Sequence, residues 1–473
     1  MLFYLDVEEV SVSEYRRYHI ETEQAPNLKG HPSRFRVRMN RPRLAAFLLK
    51  ELVHYQGNMP VILSRPCVYG VFSGPVGGFA PREQLCVGCL RCTVQYPDMV
   101  QIEPNPDRLS LGDSYVTADQ VDTLLYEAST GRVPVKGAGY RGAYGGGGWD
   151  SMWTDMSEIV RPTRDGIHGR EYISTAVDLG PRNTFLEFDE HGKLVDSAPS
   201  MITLPVPVIF DMPPAQAWER RYLRALIQAA ESIGSLVILP LGILRQQGLE
   251  SEALVPLVKG SEIDDLAALD WNPRMIEVEG VKLKDIRQLK RRWPESLICL
   301  RRPFAGPDLT DQIEAGAGCF HLTADYHGDA EGEFVMDAIQ RVHHELVESG
   351  LRERVTLIGS GGVTAAEHVP KAIISGLDVV GIDTAPLLAV QAQFEGDVKA
   401  IQGSQVRLPS FEETWARQRL VNLVGSWRDQ VLEILGAMGL REVRRLRGEL
   451  GRSMSQHKLE REAFAGIEGF DDD

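Results

Sequence analysis

The chain has 473 residues, a formal net charge of −15, 43% hydrophobic and 25% charged residues. That length holds two to three domains and a sizeable core, and the composition is that of an ordinary globular protein. The acidic balance argues against nucleic acid as a partner, and no apolar run approaches the roughly 18 residues that span a bilayer. The first ten residues have no basic n-region and turn acidic at once, so no signal peptide is expected and a cytoplasmic location is.

Residues 1–113 form the first unit. A basic segment from Arg34 to Arg43 precedes an apolar helical run from Leu44 to Val53. Its arginines read as a solvated strand edge rather than an anion site. Four of the six cysteines follow: Cys67, then Cys86-Val-Gly-Cys89-Leu-Arg-Cys92, with Tyr96-Pro97 beyond. C-x2-C-x2-C followed by a ligand position before proline is the bacterial ferredoxin spacing, in which the last ligand serves the other of two clusters. Tyr96 occupies that position, and counting back from Cys67 places Gly57, Pro60 and Leu63 where the remaining ligands would stand. None of these binds iron. One [4Fe-4S] cluster is left, closed by Cys67, Cys86, Cys89 and Cys92 in a small ferredoxin-like α+β module. Zinc also accepts four thiolates and stands as the alternative. Gly70, Gly74, Gly77 and Gly78 with Pro75 are expected to let the chain wrap the inorganic sulfur, and residues 99–102 to form a short strand.

Residues 114–200 are a lead-in segment. A helix is expected over 117–136, with Thr117 as N-cap and Gly131 as its stop. The glycine run 137–148 fits no dinucleotide fingerprint and reads as a loop anchored by Trp149 and Trp153. From 201 to 390, eight apolar runs start at Val206, Leu236, Leu254, Met275, Leu297, Cys319, Val355 and Val379. Helical stretches over 215–233, 283–292, 333–349 and 365–375 lie between them. This alternation predicts an α/β fold, a (β/α)8 barrel with its active site at the C-terminal strand ends. Pro256 makes the third run the weakest. Gly359, Ser360, Gly361 and Gly362 after the seventh run, with Gly381, Ile382, Asp383 and Thr384 at the eighth, read as a phosphate grip. Residues 391–473 form a helical extension with helices over 415–435 and 440–453, then an acidic tail at 471–473.

Ile358-Gly-Ser-Gly-Gly-Val363 and Val380-Gly-Ile-Asp-Thr384 resemble the last two strand ends of the FMN barrel in glutamate synthases, Ala-Ser-Gly-Gly-Ile and Gly-Ile-Gly-Thr. Residues 156–164 and 172–180 look like the lead-in to that barrel, Val206 to Asp211 like its first strand, and 417–443 like its helical tail. A ferredoxin-like module ahead of the barrel is similar to the archaeal-type arrangement. The resemblance implies FMN held by Asp211 and the two strand ends, and a [4Fe-4S] cluster exchanging electrons with it. It implies an oxidoreductase for a small oxo or imino acid or amine, with 2-oxoglutarate conversion to glutamate one such reaction.

The chain also departs from the family. No cysteine follows Cys319, so the family's own cluster after the barrel is missing, and Glu277-Val-Glu-Gly280 and His321 to Gly328 replace its glycine-rich substrate loops. Arg301 or Arg302 stands where a lysine near the flavin is expected. His321 and Arg301 are the catalytic candidates, the first as a proton donor and the second as an anion site at the flavin N1/O2 edge. His327 is a weaker one, and Cys299 reads as core. The expected partners are a small-molecule substrate and a separate electron-donor or amidotransferase subunit. The alternative is an electron-relay or scaffold subunit without substrate chemistry of its own.

Overall fold

The computed structural model describes residues 19–64, 67–134, 145–154, 173–181, 188–193, 201–306 and 309–467. The readings made for the first ten residues, for 137–144, 156–164 and residue 172, and for 471–473 lie outside them. The eight apolar runs form eight parallel strands, β1 (Val208–Phe210), β2 (Val237–Pro240), β3 (Leu254–Lys259), β4 (Met275–Glu279), β5 (Leu297–Pro303), β6 (Cys319–Thr323), β7 (Thr356–Ser360) and β8 (Val379–Ile382). Each pairs with the next, and β8 closes on β1 with Gly381 opposite Ile209. Parallel strands covered on both faces need apolar residues on both. Pro256 sits inside β3 opposite Leu239, where one lost donor is tolerated because its neighbours carry the ladder.

Helices follow the strands at Arg220–Ile233, Leu283–Arg292, Val335–Glu348 and His368–Ser375. The hairpin of Val177–Leu179 and Ile202–Leu204 leads into the barrel, and Gly180 N–H donates to Thr356 Oγ1 at 3.1 Å. The helix Ala118–Thr130 has both ends its sequence promised. Thr117 and Gln120 form a reciprocal capping box, and Gly131 ends it in the left-handed region at φ 64°.

The long helix Glu413–Ala437 ties these parts together. Arg419 is fully buried and donates to Ala389 O at 2.5 Å and Ala25 O at 2.6 Å; burial lowers its pKa to about 10. Asn422 Nδ2 donates to Glu23 O and Ala128 O at 2.6 and 2.9 Å. The helix expected over 440–453 does not form. Short turns at Val443–Leu446 and Leu450–Arg452 lead instead to a strand, Ser453–Ser455, paired with Met152–Thr154. Gly448, at φ 72°, breaks the run.

The cysteine module is built on a two-stranded antiparallel ribbon, Phe35–Met39 with Val100–Pro104, and the helix Arg41–His54. Arg36 and Arg38 pair with Asp107 and Glu103 at 2.7 and 3.1 Å on its exposed edge. Among the described residues no helix is long and apolar enough to cross a membrane.

Candidate active site and cysteine centre

Five strand ends converge at the C-terminal mouth of the barrel. Asp211 follows β1, Glu277 lies on β4, Arg301 on β5, His321 on β6, and Ser360 ends β7. Arg301 meets Asp211 as a fork, with Nη1 and Nη2 donating to its two oxygens at 2.8 and 3.0 Å, and Nη1 also donates to Glu277 at 2.7 Å. Glu277 lies 3.0 Å from His321 Nδ1, and His321 Nε2 lies 2.6 Å from Ser360 Oγ. With Nδ1–H donated to the carboxylate, Nε2 is left to accept the serine hydroxyl. Glu277 and His321 are fully buried, and Asp211 and Ser360 are 3% exposed. Burial works against charge on Asp211, but the attraction of Arg301 outweighs it and holds the carboxyl well below the usual range. Burial likewise opposes charge on Arg301, and the two carboxylates more than restore it.

Serine, histidine and carboxylate in this order are the parts of a nucleophile relay. Here the serine is packed against backbone, because a Cβ at Gly381 would collide with Ser360 Oγ. The group holds a proton between β6 and β7 rather than presenting a nucleophile to solvent.

The structure thus brings the catalytic candidates His321 and Arg301 into one network but uses them differently from the expectation. Arg301 is committed to Asp211 and Glu277, and Asp211 to Arg301 and to the N–H of Met212 at 2.8 Å. In this arrangement a buried cation and two buried carboxylates satisfy each other. The sequence reading named Glu277 only as part of a loop replacement and gave it no role in the site. Its signal was an acid in the apolar run Met275-Ile-Glu-Val, where an inward charge demands a cation across the barrel. His327 stands apart from the network. Its Nε2 donates to Asp113 at 2.9 Å, and its ring stacks on Tyr115 at 5.2 Å.

The two grip segments lie side by side, with Ser360 opposite Gly381. Gly361 and Gly362 have φ of 128° and 67°, and protein already fills the space above them. A Cβ on Gly361 would lie 2.7 Å from Ala324 Cβ, and one on Gly362 would lie 2.8 Å from Tyr115 Oη. Two threonine hydroxyls lie in the same segments. Thr364 and Thr384 are buried; the Thr364 Oγ1 has no partner among the described residues, and the Thr384 hydroxyl faces the Asp383 carboxyl. Asp383, between Ile382 and Thr384, accepts the Thr384 N–H at 2.5 Å. Burial, then the charge of Asp211, raises its pKa to about 8.

In the module, Cys67, Cys86, Cys89 and Cys92 line one pocket with Tyr69, Phe72 and Ile102. Cys86 and Cys92 are buried while Cys67 and Cys89 are half-buried. Burial first, and the neighbouring cysteines after it, push the Cys86 and Cys92 thiols up. Gly88, at φ 67°, is the glycine this site requires, because a Cβ there would run into the Phe35 ring. Gly70, Gly74, Gly77 and Gly78 do not line the cavity. Gly78 instead lets Leu44 and Phe72 close over it. Tyr96, in the place of the lost ligand, packs edge-on against Phe47 at 5.0 Å.

These features define a (β/α)8 barrel with a buried ion network at its mouth, preceded by a four-cysteine module. Residues 316–441, from before β6 into the C-terminal tail, match the family model described as the conserved region in glutamate synthase. The archaeal-type glutamate synthase [NADPH] of Dehalococcoides mccartyi is 24% identical over 438 residues, covering 78% of this chain and 86% of the relative. The corresponding protein of Thermotoga neapolitana is 33% identical over 168 residues, about a third of either chain. Solved structures with a related path include the flavin-binding domain of baker's yeast flavocytochrome b2, 12% identical at TM-score 0.39 over 64% of this chain and 80% of that one. Another is (S)-mandelate dehydrogenase, 12% identical at TM-score 0.38 over 64% and 92%. Likeness at that level carries no functional weight.

Proposed function

We propose that the chain is an FMN-dependent oxidoreductase of the glutamate-synthase type, acting on a small oxo or imino acid or amine. In this reading Cys67, Cys86, Cys89 and Cys92 hold one [4Fe-4S] cluster that exchanges electrons with the flavin. The observation that carries it is the glutamate-synthase region over 316–441, which includes the paired grip segments at the ends of β7 and β8. The unpartnered hydroxyl of Thr364 supports a phosphate there. Asp383, with its pKa near 8, is mostly protonated at neutral pH and offers that phosphate a donor instead of a charge. FMN, when bound, supplies the change from single-electron to hydride-equivalent transfer. Arg301 keeps Asp211 and Glu277 ionised, Glu277 fixes the His321 ring, and His321 with Ser360 holds a proton at the end of β7.

The cysteine geometry favours a cluster over zinc. Zinc–sulfur bonds of about 2.3 Å place tetrahedral sulfurs about 3.8 Å apart. Among the described residues no three of these thiols lie within 4.8 Å of one another. A second reading, an electron-relay or scaffold subunit, has one observation behind it: Arg301 is spent within the protein.

Anaerobic purification with a visible spectrum and metal analysis tests the first step. About four irons and one FMN per chain are expected, and zinc without iron or flavin overturns the reading. Reoxidation of the reduced flavin then separates enzyme from relay. The enzyme reading expects acceleration by 2-oxoglutarate with ammonia or glutamine, or by another oxo or imino acid. No acceleration by any of them leaves the relay.

A further inference from the structure

Charged groups at the C-terminal end of a barrel ordinarily face an opening, because the loops there shape a site around it. The network at this mouth faces protein instead. Glu277 and His321 are fully buried, Asp211 and Ser360 are 3% exposed, and the Arg301 side chain is 9% exposed. Tyr326, in the loop after β6, lies over it. Its Oη donates at 2.8 Å to the carbonyl of Met212, which follows Asp211 at the end of β1. Since β7 and β8 stand between β6 and β1 on the barrel, the phenol reaches across the mouth over their ends. Tyr326 is itself buried. Burial first, then the charges of Asp383 and Asp211, push its pKa well up against an opposing pull from Arg301, so its ring is a neighbour of the network.

The same loop covers the grip. A Cβ on Gly361 would lie 2.8 Å from Asp325 O, and one on Gly362 would lie 3.1 Å from Gly328 Cα. The turn from Asp325 to Asp329 is bonded to itself. Asp325 Oδ1 accepts the N–H groups of His327 and Asp329 at 2.9 and 2.8 Å, and the Gly328 N–H donates to Asp325 O at 2.9 Å. A turn built that way keeps its own bonds when it moves. Tyr326 fixes it to the far rim, through Oη and through its N–H, which donates to Lys399 O at 2.8 Å. On the near side His327 bonds Asp113.

We propose that the loop Ala324–Gly328 is a gate on the barrel mouth with Tyr326 as its bolt, and that Tyr326 leaves Met212 to admit FMN. The inference rests on the FMN reading above and adds what controls entry to that site. Tyr326 and the cofactor compete for the same space over β7, β8 and β1, so the apparent affinity is the intrinsic one reduced by the fraction of chains with the gate open. Weakening the bolt therefore speeds and strengthens FMN binding. A tyrosine that merely shapes the wall of the site has the opposite sign: losing its hydroxyl loosens the site and weakens binding.

The test mixes flavin-depleted, full-length protein with FMN in a stopped-flow instrument and follows the quenching of flavin fluorescence. Tyr326→Phe loses only the hydroxyl bond. It should speed association by about twofold to tenfold, the size of one hydrogen bond, and tighten the equilibrium by the same factor with dissociation unchanged. Tyr326→Ala should give a larger gain in the same direction. Hydrogen exchange supplies a second readout: adding FMN to wild type should speed exchange of the Tyr326 amide, whose bond to Lys399 opens with the gate. Equal rates and affinity in wild type and Tyr326→Phe overturn the proposal, and so does weaker binding by the variant. FMN binding that is the same in all three proteins sinks the gate alone. If neither wild type nor either variant takes up FMN, the FMN reading falls and the gate falls with it.

Discussion

The cysteine module and the barrel mouth solve opposite problems. The module's own core is small: Val37, Leu44, Val71, Phe72, Met99 and Val100 with Cys86 and Cys92. The barrel core runs continuously from Ile20 to Leu446 through every barrel strand and the long C-terminal helix. A core of that size can hold Asp211, Glu277, Arg301 and His321 in its interior. The small one leans on whatever its cysteines bind, as small metal domains do. The lesson is that a motif with little packing is a ligand-dependent structure, while a charged site with much packing is a structure-dependent ligand of itself.

The largest effect expected is therefore Cys86→Ser. It should remove the bound iron and raise amide exchange across residues 35–104 by an order of magnitude or more. Exchange in β1 to β8 should stay as it was. Unchanged protection in the module would show that its eight-residue core suffices and would erase the contrast.

Arg301→Ala comes next. It leaves two carboxylates buried without their cation and should destabilise the fold by about 3–5 kcal/mol in chemical denaturation. Arg91→Ala, on the exposed face of the module, should stay within about 0.5 kcal/mol. If the two arginines cost the same, the barrel-mouth network is not the buried unit described above.

How much of this the sequence revealed depends on how each feature is encoded. The cysteine site is a matter of spacing along a short stretch, and its four residues share one cavity as the spacing implied. The eight strands are encoded by local apolar runs and the helix Ala118–Thr130 by its caps, so these too were legible. The network was not, because its members lie on five strands from Asp211 to Ser360 and meet only when the barrel closes. Arg301 looked available to a ligand for the same reason: nothing near it in sequence announces Asp211, 90 residues away. The glycines also have packing roles that the spacing does not announce. A Cβ on Gly78 would press on Leu44 and Phe72, and one on Gly361 would meet Ala324. The missing helix at 440–453 had suitable apolar spacing, but Gly448 imposes a left-handed turn that the spacing does not register.

Asp383→Asn tests the barrel mouth through pH. The folded-state pKa of Asp383, about 8, lies above the ordinary carboxyl value of about 3.9. Between those values the folded chain binds a proton that the unfolded chain has lost, so this group's contribution to stability falls as pH rises from about 4 to about 8 and levels off beyond. The variant should flatten that slope, gaining on wild type by a few kcal/mol at most between about pH 5 and about pH 8. An identical slope in both proteins would place the carboxyl in contact with water.

The smallest change asks whether the two regions are joined. Tyr115 Oη donates to Gly362 O at 2.7 Å, so the segment leaving the module is latched to the end of β7. Asp113 holds the latch in shape by accepting the N–H groups of Tyr115, Val116 and Val398 at 2.9, 2.8 and 3.0 Å. Tyr115→Phe removes one hydrogen bond and keeps the stack on His327, so it should cost about 0.5–1.5 kcal/mol. The informative measurement is where that loss appears. A latch predicts faster amide exchange both in residues 113–116 and at the end of β7, because each side holds the other. Loss confined to 113–116 would mean that the barrel mouth keeps its shape alone, and that the module is tethered to it only by the chain.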